Sequence, residues 1–306
     1  TTNELNKRKG EYIMTALKNK IDFALVFTVR NANPNGDPLD RNRPRTTYKG
    51  LGEVSDVCLK RKIRNRLLDE GYNIFVQSDD RRKEGDMFRS LKDRADHEPA
   101  LAECIKQIKA GEKTREDYAR LACEIWYDVR AFGQVFAFKK GKEDEGSDAV
   151  SIGIRGPVSI QPAFSIEPVN ITSSQITKSV NLETGADPDK KGADTMGMKH
   201  RVDFGIYVTY GAINVQPAEK TGFSEEDAEA LKEALRSLFK NDETSARPAG
   251  SMEVEKVIWW KHNCATGQYS SAKVHRSLQV SSDEQGNVKV STVDLDGLVP
   301  EVLDGE

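Results

Sequence analysis

The chain has 306 residues, 37% of them hydrophobic and 31% charged, with a formal net charge of −3. That length can bury a large core, as one elaborated domain or two smaller ones. No apolar run approaches the roughly 18 residues needed to cross a bilayer, and no basic leader precedes an apolar stretch, so neither a membrane span nor secretion is expected. Cys58, Cys104, Cys123 and Cys264 lie far apart without a paired spacing, which argues against a zinc site or a disulfide framework and for reduced thiols in the cytoplasm. His97, His200, His262 and His275 show no metal-ligand spacing. There is no phosphate-binding P-loop either, so no cofactor is expected.

The first thirteen residues have little to fold, and Met14 reads as a natural start. Ile21 to Val29 is a short apolar, β-branched and aromatic run, the pattern of a buried strand. The turn-forming run Asn31-Ala-Asn-Pro-Asn-Gly-Asp-Pro38 follows. A helix is predicted from near Gly52, with Ser55 and Asp56 in its first turn and a stop before Gly71. Its Leu59, Ile63 and Leu67 form a stripe fit to pack on a sheet. Tyr72 to Gln77 reads as a returning strand. Asp79 to Cys123 is helical and highly charged, with breaks at Pro99 and Gly111, and Lys139 to Asp148 has almost nothing to bury. Ser151 to Val169 suggests extended strands with bends. Asn170 to Arg201 is polar with a turn-like centre and fits a protruding β-hairpin. Strand character returns over Val202 to Val215 and Val254 to Lys261. Between them, Ser224 to Phe239 is the clearest amphipathic helix. The sum is an α+β core with two long insertions.

Charge is concentrated early. From Arg41 to Arg66 there are nine Lys/Arg against two acids, Glu53 and Asp56, a local charge of +7. A strand–loop–helix unit with that charge suits a polyanion; a solvated helix face is the competing reading.

Four motifs in order, NANPNGDP, LKRKIRN, TMGMKHRVDFGIYV and RPAGSMEV…WWKHN, resemble the backbone subunit of type I CRISPR interference complexes (Cascade), most closely type I-C, a RAMP-superfamily protein. The likeness runs from Met14 nearly to the end. It implies an RRM-like (ferredoxin-like) palm over 14–78, 124–169 and 202–306, helical fingers over 79–123 and a thumb hairpin over 170–201. It also implies several copies along one CRISPR RNA, a RAMP-family precursor-processing subunit, large and small Cascade subunits, and target DNA paired to the guide. With the charge pattern, it nominates Arg41, Arg43, Arg45, Lys49, Ser55, Lys60, Arg61 and Arg64 as RNA contacts, Lys60 and Arg64 pointing the same way one turn apart. On the thumb it nominates Lys178, Lys199 and His200, with Met196 and Met198 as the apolar wedge that displaces a nucleotide.

The resemblance makes a non-catalytic scaffold the leading expectation. Related subunits of type III complexes cleave RNA with an aspartate in the loop after the first strand, so a divalent-metal ribonuclease using Asp37 or Asp40 is the alternative. A turn cap is the simpler role for Asp37. Adjacent strand residues face opposite ways, so of Trp259 and Trp260 one is expected in the core and at most one free to stack. Phe23, Phe27, Ile206 and Val208 are expected in the core.

Overall fold

The computed structural model describes residues 15–81, 88, 90–137, 151–177, 196–283 and 286–306. In chain order come β1 (Ile21–Ala32), the two-residue β2 (Gly36–Asp37) and β3 (Arg43–Pro44), β4 (Leu51–Val54) and α1 (Asp56–Asp69). The helices α2 (Leu91–Asp96), α3 (Pro99–Lys109), α4 (Arg115–Ile125) and α5 (Tyr127–Phe132) lead to β5 (Gly133–Ala137), β6 (Ser151–Arg155), β7 (Val158–Ile160) and β8 (Ala163–Pro168). Then come β9 (Ile171–Thr177), β10 (Met196–Ile213), α6 (Val215–Thr221) and α7 (Glu225–Arg236). The chain closes with β11 (Met252–Lys261), α8 (Ser271–Ser277), β12 (Leu278–Ser282), β13 (Val288–Thr292) and β14 (Glu301–Asp304). Helices and one large antiparallel sheet make the mixed class expected from the sequence. The predicted loop at Lys139–Asp148 lies outside the described residues.

The main sheet runs β14-β11-β1-β10-β8-β4, with β7 and β9 also paired to β10. β1 is its central strand, in register with β10 from Ile21↔Ile213 to Ala32↔Val202 and with β11 on its other side. Side chains alternate between the two faces. Phe23, Leu25, Phe27 and Trp259 point to one core, where Leu59, Ile63 and Leu67 of α1 and Leu231 and Leu235 of α7 cover them. Gly211 faces Phe23 in that pairing, and a Cβ there would run into the Phe23 ring. α7 starts as read from its sequence: Ser224 and Asp227 form a capping box.

Ala24, Val26, Ile206, Val208, Ile258 and Trp260 point to the opposite face, under Val274, Leu278 and Leu298. Trp259 and Trp260 are therefore both buried, at 3% and 1% exposure, and neither can stack on a ligand. This falls within the expectation of at most one free ring, since α8 and the β12–β13 ribbon cover the second face.

Two predictions change. Gly52 belongs to β4, and α1 begins at Asp56 with Ser55 as its N-cap. Tyr72–Gln77 is not a strand. Ile74 and Phe75 are buried, but the amides of Phe75 and Val76 donate to the Asp128 carboxylate at 2.7 and 3.1 Å instead of to a neighbouring strand. A second core, around α3, α4 and α5, is built from Phe75, Leu101, Tyr118, Trp126, Phe136 and Ile152.

A buried ionic cluster ties the second face down. Asp22 is fully buried at the start of β1. His262 Nε2 lies 2.8 Å from its Oδ2, Lys20 Nζ 3.2 Å from the same oxygen, and His275 Nε2 of α8 3.4 Å from Oδ1. His262 Nδ1 accepts from the Gln268 amide at 2.9 Å, so Nε2 carries the proton given to Asp22. Burial pushes the Asp22 carboxyl upward, but the His262 hydrogen bond, the neighbouring His275 and Ser271 side chains and the Lys20 charge outweigh it, and the group titrates well below the usual carboxylate range. Its contribution to stability is thus complete above the unfolded carboxylate value, about 3.9, and is lost as the pH falls towards the folded value. Unfolding free energies from urea titrations between pH 6 and pH 2.5 should fall more steeply in the wild type than in Asp22→Asn, by up to about 1.4 kcal/mol per pH unit below pH 4. Parallel curves would contradict this assignment.

Candidate nucleic-acid interface

The loop after β1 is a pair of tight turns strapped to the first helix. β2 and β3 pair as Gly36↔Pro44 and Asp37↔Arg43. At their tip Arg41 and Asn42 hold left-handed φ values of 50° and 61°, a conformation asparagine tolerates and arginine adopts at a cost. The Leu39 amide donates to Asp37 Oδ1 at 3.0 Å, and Arg45 Nη2 lies 3.5 Å from the same oxygen. Asp37 therefore caps the turn, as its sequence context suggested; Asp40 is exposed. Asn35 fastens the loop to α1, because its Oδ1 accepts from both the amide (2.9 Å) and the hydroxyl (2.8 Å) of Ser55. Ser55 Oγ in turn accepts from the Cys58 amide at 3.3 Å. The Ser55 hydroxyl proton is thus already engaged within the protein.

The second half of the site is the root of the β9–β10 hairpin. Seven residue pairs run from Val202↔Ile171 out to Met196↔Thr177. Ser173 Oγ sits 2.8 Å from His200 Nδ1 across this ladder, and Arg43 Nη1 donates to the same Oγ at 3.3 Å. Arg43 and His200, nominated from separate stretches of sequence, are thus brought together through a serine that sequence reasoning did not single out. Met196 and Met198 lie on the His200 side of the strand at two-residue steps, about 7 Å apart, and both are exposed. Lys199 is exposed on the other side. Lys178 and the predicted hairpin tip fall outside the described residues.

The α1 cations are placed differently from the loop cations. Lys60 Nζ is 3.1 Å from Asp56, Arg61 Nη1 donates to the Val76 carbonyl at 2.7 Å, and Arg64 Nε donates to Asp128 at 2.8 Å. Lys62 is buried against Asp242, and Arg66 Nε donates to Ser237 Oγ at 2.8 Å. Burial and the neighbouring Arg64 charge hold the Arg61 guanidinium below its usual value. Arg41 and Lys49 are exposed and, among the described residues, have no hydrogen-bonding or ionic partner. Among the nominated cations that the structure describes, those most available to an anion are Arg41 and Lys49 on the loop and Lys199 at the hairpin root.

A two-turn loop fastened to α1 and an exposed hairpin arm, joined through Arg43, Ser173 and His200, define a protein that presents exposed cations at the loop and the hairpin root. The family model described as CRISPR-associated protein Cas7 matches residues 19–296, and the chain belongs to that family. A Haloferax volcanii CRISPR-associated protein Cas7 is 27% identical over 310 residues, covering 94% of this chain and 83% of that one. Among solved structures, a chain of a pre-nicking CRISPR RNA-guided surveillance complex is similar at 16% identity and a TM-score of 0.45, covering 82% of this chain and 81% of its own. A chain of another CRISPR RNA-guided surveillance complex has 16% identity and a TM-score of 0.40, with 79% and 68% covered.

Proposed function

We propose that this chain is a non-catalytic backbone subunit that binds CRISPR RNA and polymerises along it in a type I-C interference complex, presenting the guide for pairing with target DNA in antiviral defence. The observation that carries this reading is the meeting of Arg43, Ser173 and His200 in a chain of the Cas7 family. It joins the loop after β1 to the root of the hairpin, leaving Arg41 and Lys49 open beside it in sequence. Contacts of this kind grip phosphate and ribose without reading bases, which a guide carrier needs because any spacer must fit.

In this reading β1, α1, β8, β10, α7 and β11 are an RRM-like palm. The order β11-β1-β10-β8 with α1 and α7 on one face supports it. α2, α3 and α4 are the fingers, and β9 with the start of β10 is the root of the thumb, whose wedge is Met196 and Met198. Further copies of the chain, a RAMP-family precursor-processing subunit and the large and small Cascade subunits complete the assembly in the cytoplasm. The ribonuclease alternative draws no support from Asp37, whose carboxylate serves the turn and Arg45.

The test is a ladder of guide RNAs of increasing length, mixed with purified protein and magnesium and sized by light scattering. Mass should rise in whole-subunit steps with RNA length, and the RNA should stay intact. A single copy at every length would reduce the chain to a lone RNA-binding protein. Cleavage abolished by Asp37→Ala would establish the enzyme instead.

A further inference from the structure

The turn between β3 and β4 carries a feature that the basic track does not explain. Tyr48 is fully exposed, its ring lying against none of the described residues. It sits at the tip of a narrow hairpin: Thr47 N donates to Leu51 O at 2.8 Å, Glu53 N to Arg45 O at 2.9 Å, and Thr46 bridges Gly52. The turn is closed by Gly50 N donating to Thr47 O at 2.9 Å, with Gly50 at a φ of +79° that only glycine adopts freely. Leu51 N donates to Thr47 Oγ1 at 3.2 Å, and Val169 N donates to Gly50 O at 3.0 Å, pinning the tip to the end of β8. Tyr48 and Lys49 are thus the two outward residues of a fixed turn. Among the described residues neither has a hydrogen-bonding, ionic or ring partner.

An exposed aromatic on a rigid support loses little entropy on capturing a flat ligand. Its neighbours within three positions are Arg45, Thr46, Thr47, Lys49, Gly50 and Leu51, of which Leu51 alone is a large apolar residue, unlike the apolar ring that surrounds a protein–protein anchor. A ring beside an ammonium is the pairing that single-stranded nucleic acid meets with a base and its phosphate.

Resting on the nucleic-acid reading above, we propose that Tyr48 stacks on an unpaired nucleobase while Lys49 meets the adjoining phosphate. This is a contact to the base face, tolerant of sequence because every base offers a π-surface.

The experiment compares a labelled oligouridylate with an abasic ribose–phosphate chain of equal length, by fluorescence anisotropy at one salt concentration. Tyr48→Ala should weaken oligouridylate binding on the order of 5- to 150-fold and leave abasic binding unchanged. Tyr48→Phe and Tyr48→Trp should retain wild-type affinity, and Lys49→Ala should weaken both ligands alike. Equal affinity of wild type and Tyr48→Ala for oligouridylate, or an equal loss on both ligands, would overturn the stacking contact while leaving the nucleic-acid reading in place. Unchanged RNA affinity with lost self-association would assign Tyr48 to a contact between copies and also overturn it. Failure of the wild type to bind either chain would remove the nucleic-acid reading itself.

Discussion

Asp128→Ala is expected to cost about 3–5 kcal/mol of folding stability, a large share of the roughly 5–15 kcal/mol that holds a domain folded. Asp128 is 1% exposed and serves three donors at once: Arg64 Nε at 2.8 Å, the Phe75 amide at 2.7 Å and the Val76 amide at 3.1 Å. Through them it joins α1, the segment after it and α5. Alanine would strand a part-buried guanidinium, which lies 5.1 Å from the Phe132 ring centroid, along with two amides that no strand partners. Unsatisfied buried donors carry their full desolvation cost. Urea unfolding followed by circular dichroism measures the change. A loss under 1 kcal/mol would show that water or local rearrangement replaces the carboxylate. The same geometry makes Arg64→Glu a poor probe of binding, since it sets a second carboxylate against Asp128 and tests the fold first.

The second large effect is on binding. Replacing Arg41, Arg43 and Lys49 together by glutamate should lower affinity for single-stranded RNA on the order of 100-fold or more at moderate salt, each charge-assisted phosphate contact contributing about 1.5–3 kcal/mol. Arg41 and Lys49 are exposed, and Arg43 gives up only its bond to Ser173. Stability should therefore move little, because exposed polar contacts contribute about 0–1 kcal/mol each. The readout is anisotropy with labelled RNA beside a melting curve of the same samples. Wild-type affinity in the triple variant would move the binding surface away from the loop.

Features set by local periodicity were legible in the sequence. The Leu59–Ile63–Leu67 stripe, the buried β1 and the Ser224 cap of α7 all follow from neighbours within a turn or two. Features settled by distant residues were not. Tyr72–Gln77 has strand composition, but a carboxylate about fifty residues later takes its amides. The hairpin and the strand beginning at Val202, read as separate elements, are one continuous β10, since a strand shows no break where its burial changes. The clustered charge of α1 pointed to an anion surface. Yet Asp128, Asp242, Ser237 and the Val76 carbonyl, all remote in sequence, engage Arg64, Lys62, Arg66 and Arg61. The Asp22 cluster escaped notice because its histidines, His262 and His275, lie some 240 residues or more from the carboxylate. At the candidate site, the two nominated ends, Arg43 and His200, were readable as basic residues. Ser173 and Asn35, which hold the pieces together, carry no signal beyond ordinary polarity.

The most direct measurement is the salt dependence of RNA binding by wild-type protein stripped of nucleic acid. If each copy neutralises about five phosphates, a log–log plot of affinity against salt should fall with a slope near −3.5, and the triple glutamate variant should flatten it towards about −1.4. Absence of binding even in dilute buffer, or a slope near zero, would contradict a cationic track that holds the RNA backbone.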